Sequence, residues 1–170
     1  MSQAFIPYGR QGIDEQDLRA VLQVLQSDWL TTGPMVERFE QEISAFVGQD
    51  HAVAVSNGTA ALHAAMYAIG IGPGDEVVVP PMTFAATANA VVYQGGTPVF
   101  ADVETGTLLL DPATVETRVT SRTKAIIAVD YAGQPAEVKA ICCGLRHSLI
   151  SGKFRSAGQL RAYLENLQWN

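Results

Sequence analysis

The chain has 170 residues, enough for one domain that buries roughly 70% of the surface its unfolded form exposes, so a single core is expected. A composition of 48% hydrophobic and 16% charged residues excludes a disordered chain. A net charge of −6 and a pI near 4.9 argue against the clustered basic surface that nucleic acid or anionic lipid demands, which leaves a small molecule as the expected ligand.

The two cysteines, Cys142 and Cys143, are neighbours. They offer neither a disulfide framework nor spaced zinc ligands, and they predict a reducing, cytoplasmic setting. Residues 1–10 lack the basic segment and apolar run of a secretory signal. The uncharged stretch 77–101 is interrupted by Pro80-Pro81, Asn89, Gln94, Gly95-Gly96 and Pro98, which divide it into short elements rather than a membrane span.

In chain order, residues 14–26 place Leu18, Val21, Leu22 and Leu25 at helical spacing, predicting an amphipathic helix on a larger body. Thr31-Thr32-Gly33-Pro34 is a turn. A second helix follows over 36–47, through Val36, Phe39, Ile43 and Phe46, with Gly48 as its stop. Thereafter strands and helices alternate: strand 52–55, helix 59–69, strand 76–79, helix 84–93, strand 98–101. A short helix opened by Asp111-Pro112 then precedes a strand over 124–129. Short, Val- and Ile-rich strands separated by helices predict a parallel sheet covered on both faces, with right-handed crossovers: an α/β domain. Residues 135–149 and 159–167 are further helices, the last with Ser156 as a possible N-cap, and 150–157 is a loop.

Open parallel sheets bind ligands beyond the carboxyl ends of their strands. The residues there are Ser56 to Thr59, Pro80 to Phe84, Asp102, and Asp130-Tyr131. Ser56-Asn57-Gly58-Thr59 admits two readings. It is a phosphate site, where glycine lets backbone approach an anion at a helix N-terminus, or a tight turn with Thr59 as the cap. The helix that follows is apolar on nearly every side, which predicts that its N-terminus is held inside the protein. Phe84 either stacks on a planar ligand or packs in the core. Asp102 and Asp130 are either catalytic or turn-capping carboxylates. His63 is read as a helix-face residue with a satisfied partner. His51 and His147 stand in no ligand pattern, so no metal is assigned.

The run IPYGRQGI, then SDWLTTGP, RFEQEISAFVG, HAVAVSNGTAALH, PPMTFAATANAVVYQGGTPVFADV and TKAIIAVDYAGQPAEV, resembles the DegT/StrS-type aminotransferases of nucleotide-linked sugars. PYGRQ, LTTGP and VDYAGQP are most like the branch serving pseudaminic acid biosynthesis. The likeness runs over residues 5–149. It implies the fold type I (aspartate aminotransferase-like) large domain of the pyridoxal-phosphate transferases, with 1–149 its N-terminal part and 150–170 a divergent tail.

It also implies pyridoxal 5'-phosphate as cofactor, with Gly58 and Thr59 at the phosphate and Phe84 stacked on the pyridine ring. Tyr8, Trp29, Leu30 and Thr31 would line the sugar-nucleotide site, often across a homodimer interface. The implied reaction moves an amino group from glutamate to a 4-keto UDP-sugar. Family members continue into a strand whose Asp pairs with the pyridinium nitrogen, and later reach the lysine that bonds to the cofactor. Neither is found in this sequence: Lys153 stands in wording that matches nothing around that lysine, and Asp130 belongs to an earlier motif. No catalytic residue is therefore assigned, and the expectation is an enzyme fragment with little or no turnover of its own. The alternative is a non-catalytic ligand-binding or oligomerisation module.

Overall fold

The computed structural model describes residues 11–143, which divide into two compact units between Ala54 and Val55. The first holds two helices, α1 (Glu15–Leu25) and α2 (Pro34–Val47). Asp14 opens α1 as a capping box: its carboxylate accepts the amides of Gln16 (2.7 Å) and Asp17 (3.0 Å), and the Asp17 carboxylate accepts the amide of Asp14 at 3.0 Å. Pro34 starts α2, two residues before the apolar periodicity begins, because a proline needs no acceptor at a helix's first position. Gly48 ends it in the left-handed region (φ 67°), where a side chain would be strained.

The stripe of Leu18, Val21, Leu22 and Leu25 is exposed, and one expectation fails in this unit. Residues 52–55 form no strand: they find no ladder partner among the described residues, and the Ala54 amide donates instead to Glu40 Oε1 at 2.8 Å.

The second unit contains the buried residues. Its elements are α3 (Gly58–Ala68), β1 (Glu76–Val79), α4 (Ala86–Tyr93), β2 (Thr97–Phe100), α5 (Pro112–Arg118) and β3 (Thr123–Ile126). A one-turn 3-10 segment, Tyr131–Gly133, and helical residues 138–143 follow. The last helix therefore starts three residues after Pro135, and its predicted end at 149 lies outside the described residues, as do the tail elements 150–157 and 159–167. The uncharged stretch 77–101 resolves into strand, helix and strand, and no described helix is long and apolar enough to cross a membrane.

The sheet is parallel, in the order β2-β1-β3, with Val78 paired to Val99 on one side and Ile126 on the other. Side chains alternate across a strand, so β1 feeds two cores. Val78 joins Ala101, Leu110, Val115, Val119, Ile126 and Ile141 on one face. Val77 and Val79 join Met66, Ile71, Ala90, Val91 and Ala125 on the other. The expected single core is thus two clusters, one on each face of β1, while β2 (Thr97–Phe100) is only partly covered. Pro98 is tolerated because, among the described residues, β2 pairs only with β1 and is an edge.

The loops below the sheet are pinned by side chains distant in sequence. Lys124 donates to the Gly70 carbonyl and to Asp75 Oδ2 (3.1 Å), and Asp75 also accepts the Gly72 amide at 2.9 Å. Gly96, between α4 and β2, has no room for a methyl: a Cβ there would stand 2.6 Å from Ile71 Cγ2 and 3.0 Å from Val91 Cγ1.

Candidate functional site

The opening of α3 bears on both readings of Ser56 to Thr59. Asn57, not Thr59, is the cap: its side chain accepts the Ala60 amide (2.9 Å) and its carbonyl accepts the Ala61 amide (3.1 Å). The amides of Gly58 and Thr59 are left, and neither has an acceptor among the described residues. Gly58 has no atom within 4 Å of a Cβ position, so this end is open. The expectation of an N-terminus held inside the protein fails: Asn57, Gly58 and Thr59 are all exposed. The physical reason is that α3 is rich in alanine and packs through a narrow stripe, Leu62 and Met66, so being apolar all round does not bury it.

Phe84 lies in the loop between β1 and α4, after Pro80-Pro81. The residue is 78% exposed, so the core-packing alternative fails. It shares an open cleft of about 630 Å³ with Gly58, Thr59, Ala61, Leu62, Ala65, Ala86 and Thr87. The cleft therefore has two unused amide donors at one end, an unpacked aromatic ring, and an alanine and leucine surface. Such a combination suits a flat ring bearing an anionic group.

The other strand-end residues do structural work. Asp102 Oδ1 accepts the Val103 amide at 2.8 Å, and Asp130 Oδ1 accepts the Ala136 amide at 2.8 Å, so both carboxylates bond to nearby backbone. His63 sets its ring edge-on to Tyr93, with centroids 5.4 Å apart, joining α3 to α4 as a partnered helix-face residue. None of the three lines the cleft.

In the first unit, Trp29 lines a separate hollow of about 420 Å³ with Thr32, Gly33, Pro34, Val36, Glu37 and Glu40. Its amide donates to Ser27 Oγ at 3.2 Å, and the same hydroxyl donates to the Val24 carbonyl at 2.8 Å. Leu30 and Thr31 are exposed beside it but do not line it. Tyr8 lies outside the described residues.

Sequence reasoning missed Thr83 and Thr87, whose hydroxyls are 2.7 Å apart. The signal was a pair of threonines four residues apart, one before and one inside the start of a helix, shortly after Pro80-Pro81. It also missed the apolar wall, Ala61, Leu62 and Ala65, a run at helical spacing that reads only as packing.

Residues 11–145 match the DegT/DnrJ/EryC1/StrS aminotransferase family. The spore coat polysaccharide biosynthesis protein SpsC of Bacillus subtilis is 49% identical over 137 residues, which is 81% of this chain and 35% of that protein. The UDP-4-amino-4-deoxy-L-arabinose–oxoglutarate aminotransferase of Shewanella sediminis is 46% identical over 141 residues, 83% of this chain and 36% of its own length. Among solved structures, the putative sugar aminotransferase Spr1654 from Streptococcus pneumoniae superposes with a TM-score of 0.81 at 31% identity. The match covers 89% of this chain and 38% of that one, and that protein is known in PLP, PMP and apo forms. The chain thus spans little more than a third of the length of these relatives.

Proposed function

The chain belongs to the DegT/DnrJ/EryC1/StrS aminotransferase family, and from that premise we propose that its α3–α4 cleft is the phosphate and ring portion of a pyridoxal-phosphate site. The observation that carries this reading is the pair of free amides at Gly58 and Thr59 in the same cleft as the unpacked ring of Phe84. The residues present fit the group: the amides and the positive end of the α3 dipole would hold the phosphate, the Thr59 hydroxyl adds a donor, and Phe84 covers a ring face. Ala61, Leu62 and Ala65 keep water from that side. Bound there, the cofactor supplies an electron sink for breaking bonds at an amine-bearing carbon.

The described residues contribute binding rather than proton transfer. Among the described residues no lysine lines the cleft, and Lys124 is tied to Asp75 and the Gly70 carbonyl. We therefore read residues 1–149 as a cofactor-binding part of the large domain and 150–170 as a divergent tail, the chain alone turning over little or nothing. In the whole enzyme an amino group passes from glutamate to a 4-keto UDP-sugar in the cytoplasm. The wording PYGRQ, LTTGP and VDYAGQP supports UDP-4-amino-4,6-dideoxy-N-acetyl-β-L-altrosamine transaminase, of the pseudaminic acid pathway, as the particular activity. Tyr8, Trp29, Leu30 and Thr31 are assigned to the sugar nucleotide, in support of which Trp29 lines a hollow. The exposed stripe Leu18, Val21, Leu22 and Leu25 supports a homodimer.

Titration calorimetry with pyridoxine 5'-phosphate tests the cleft, since this analogue has no aldehyde to react with surface amines. Binding should weaken markedly for pyridoxine, which lacks the phosphate, and for Phe84→Ala. Equal affinity for both compounds, or no binding, would overturn the assignment.

A further inference from the structure

Phe84 raises a question of mechanics. A residue 78% exposed has almost no packing to hold it, yet a ring that stacks on a ligand must be fixed before the ligand arrives. Its position has to come from its own backbone. The helix behind it lends little help, because α4 opens at Ala85 without a side-chain cap.

Thr87 supplies the restraint. It stands in the first turn of α4, is only 4% exposed, and holds the loop twice. Its amide donates to the Phe84 carbonyl at 3.0 Å, and its hydroxyl shares a hydrogen bond of 2.7 Å with the hydroxyl of Thr83, the residue before Phe84. The Thr83 amide in turn donates to the Pro81 carbonyl at 3.2 Å, so the segment from Pro81 to Thr87 closes on itself. Phe84 is therefore gripped on both its carbonyl and its amino-terminal side by one buried residue. The hydroxyl pair is part-buried, and its loss leaves the hydroxyl of the buried Thr87 without this partner.

From these contacts we infer that Thr87 is a positioning residue for the ring-binding half of the cleft, acting through Thr83 to set the Phe84 ring. This rests on the cofactor-site reading above. Its chemistry separates it from the phosphate end: Thr87 should matter to any planar ring that stacks on Phe84, and not to an anion held at Gly58 and Thr59.

The test uses the 170-residue chain and three probes: pyridoxine 5'-phosphate, pyridoxine and inorganic phosphate. Thr87→Val keeps the shape and removes the hydroxyl. It should weaken both ring-bearing probes by the same factor, about threefold to tenfold, and leave phosphate unchanged. Thr87→Ser should restore binding. In the Phe84→Ala background, Thr87→Val should have no further effect, because the ring it positions is gone. Thr83→Val removes the same pair from its less buried side and repeats the test should Thr87→Val fold poorly. If Phe84→Ala weakens ring binding while both valine variants and the double variant behave additively or silently, this inference is overturned and the cofactor site stands. If the wild-type chain discriminates neither ring nor phosphate, both are overturned together.

Discussion

Glu76 and Arg122 hold each other twice, once through the backbone and once through their side chains. The Glu76 amide donates to the Arg122 carbonyl at 2.9 Å, and Arg122 Nε donates to Glu76 Oε1 at 2.8 Å. The second carboxylate oxygen accepts the Thr120 hydroxyl. Glu76 begins β1 and is only 5% exposed, so this clasp fixes the lower edge of the β1–β3 pair where the register shifts.

That clasp makes stability depend on pH in a defined window. The Thr120 hydrogen bond, then the hydrogen bond and charge of Arg122, hold the Glu76 carboxyl below its ordinary value of 4.5, against burial, which raises it. A carboxyl lowered in the folded state stabilises above its unfolded value, and that contribution is lost as pH falls through the folded one. The melting temperature of the wild type should therefore drop more steeply below pH 4.5 than that of Glu76→Gln, which has no charge to lose. Parallel curves would remove Glu76 from the acid sensitivity.

Gly58→Pro should separate folding from binding. Position 58 is the first of α3, where proline suits a helix, the preceding Asn57 is already extended, and no atom crowds a side chain. The substitution deletes one of the two free amides and little else. A lost hydrogen bond to a charged group, about 1.5–3 kcal/mol, predicts roughly tenfold weaker or greater loss of pyridoxine 5'-phosphate binding with the thermal melt unchanged. Unaltered affinity would place the phosphate elsewhere.

Ala132 carries the left-handed angles φ 55°, ψ 26° inside the turn Tyr131–Gly133. A non-glycine residue there is strained by roughly 1–2 kcal/mol, and glycine costs about 0.5–1 kcal/mol of chain entropy. Ala132→Gly should therefore gain about 0.5–1 kcal/mol, seen as a higher denaturant midpoint at constant m-value. A loss of stability would mean that the strain is released by other contacts.

Val78 and Phe84 should respond in opposite ways to truncation. Val78 has no exposed surface and packs in the Leu110–Val115 cluster, so Val78→Ala should cost about 2 kcal/mol by lost burial and a residual cavity. Phe84→Ala removes a larger group but should change stability by no more than about 0.5 kcal/mol, because it is exposed. Urea melts of both distinguish a packing role from a ligand role for the aromatic.

The sequence is most legible where burial alone decides structure. β1 is read at its true limits, 76–79, because both its faces are covered and its composition needs nothing else. The caps at Asp111 and Gly48 are likewise local chemistry and are found where the residues predict. The strand over 52–55 fails because a strand requires a neighbour, and periodicity cannot say whether one is present. The exposure of the α3 N-terminus was hidden for the same reason: alanine is apolar whether or not anything packs on it. Glu76 and Arg122 are 46 residues apart, and Thr83 meets Thr87 only once the Pro-Pro loop has turned. Such pairings are products of the fold, not of neighbouring residues.

Gly96 and Gly48 answer to different demands, and the difference predicts how each tolerates change. Gly48 is required for a torsion angle, so asparagine, which also accepts left-handed angles, is a serviceable replacement in open surroundings. Gly96 is required for its volume. With Ile71 and Val91 already in the space a methyl would occupy, every larger residue must displace one or both of them. Since α4 also carries Thr87, which lines the cleft, position 96 works as a shim at the far end of that helix: its missing methyl is room that Ile71 and Val91 already use.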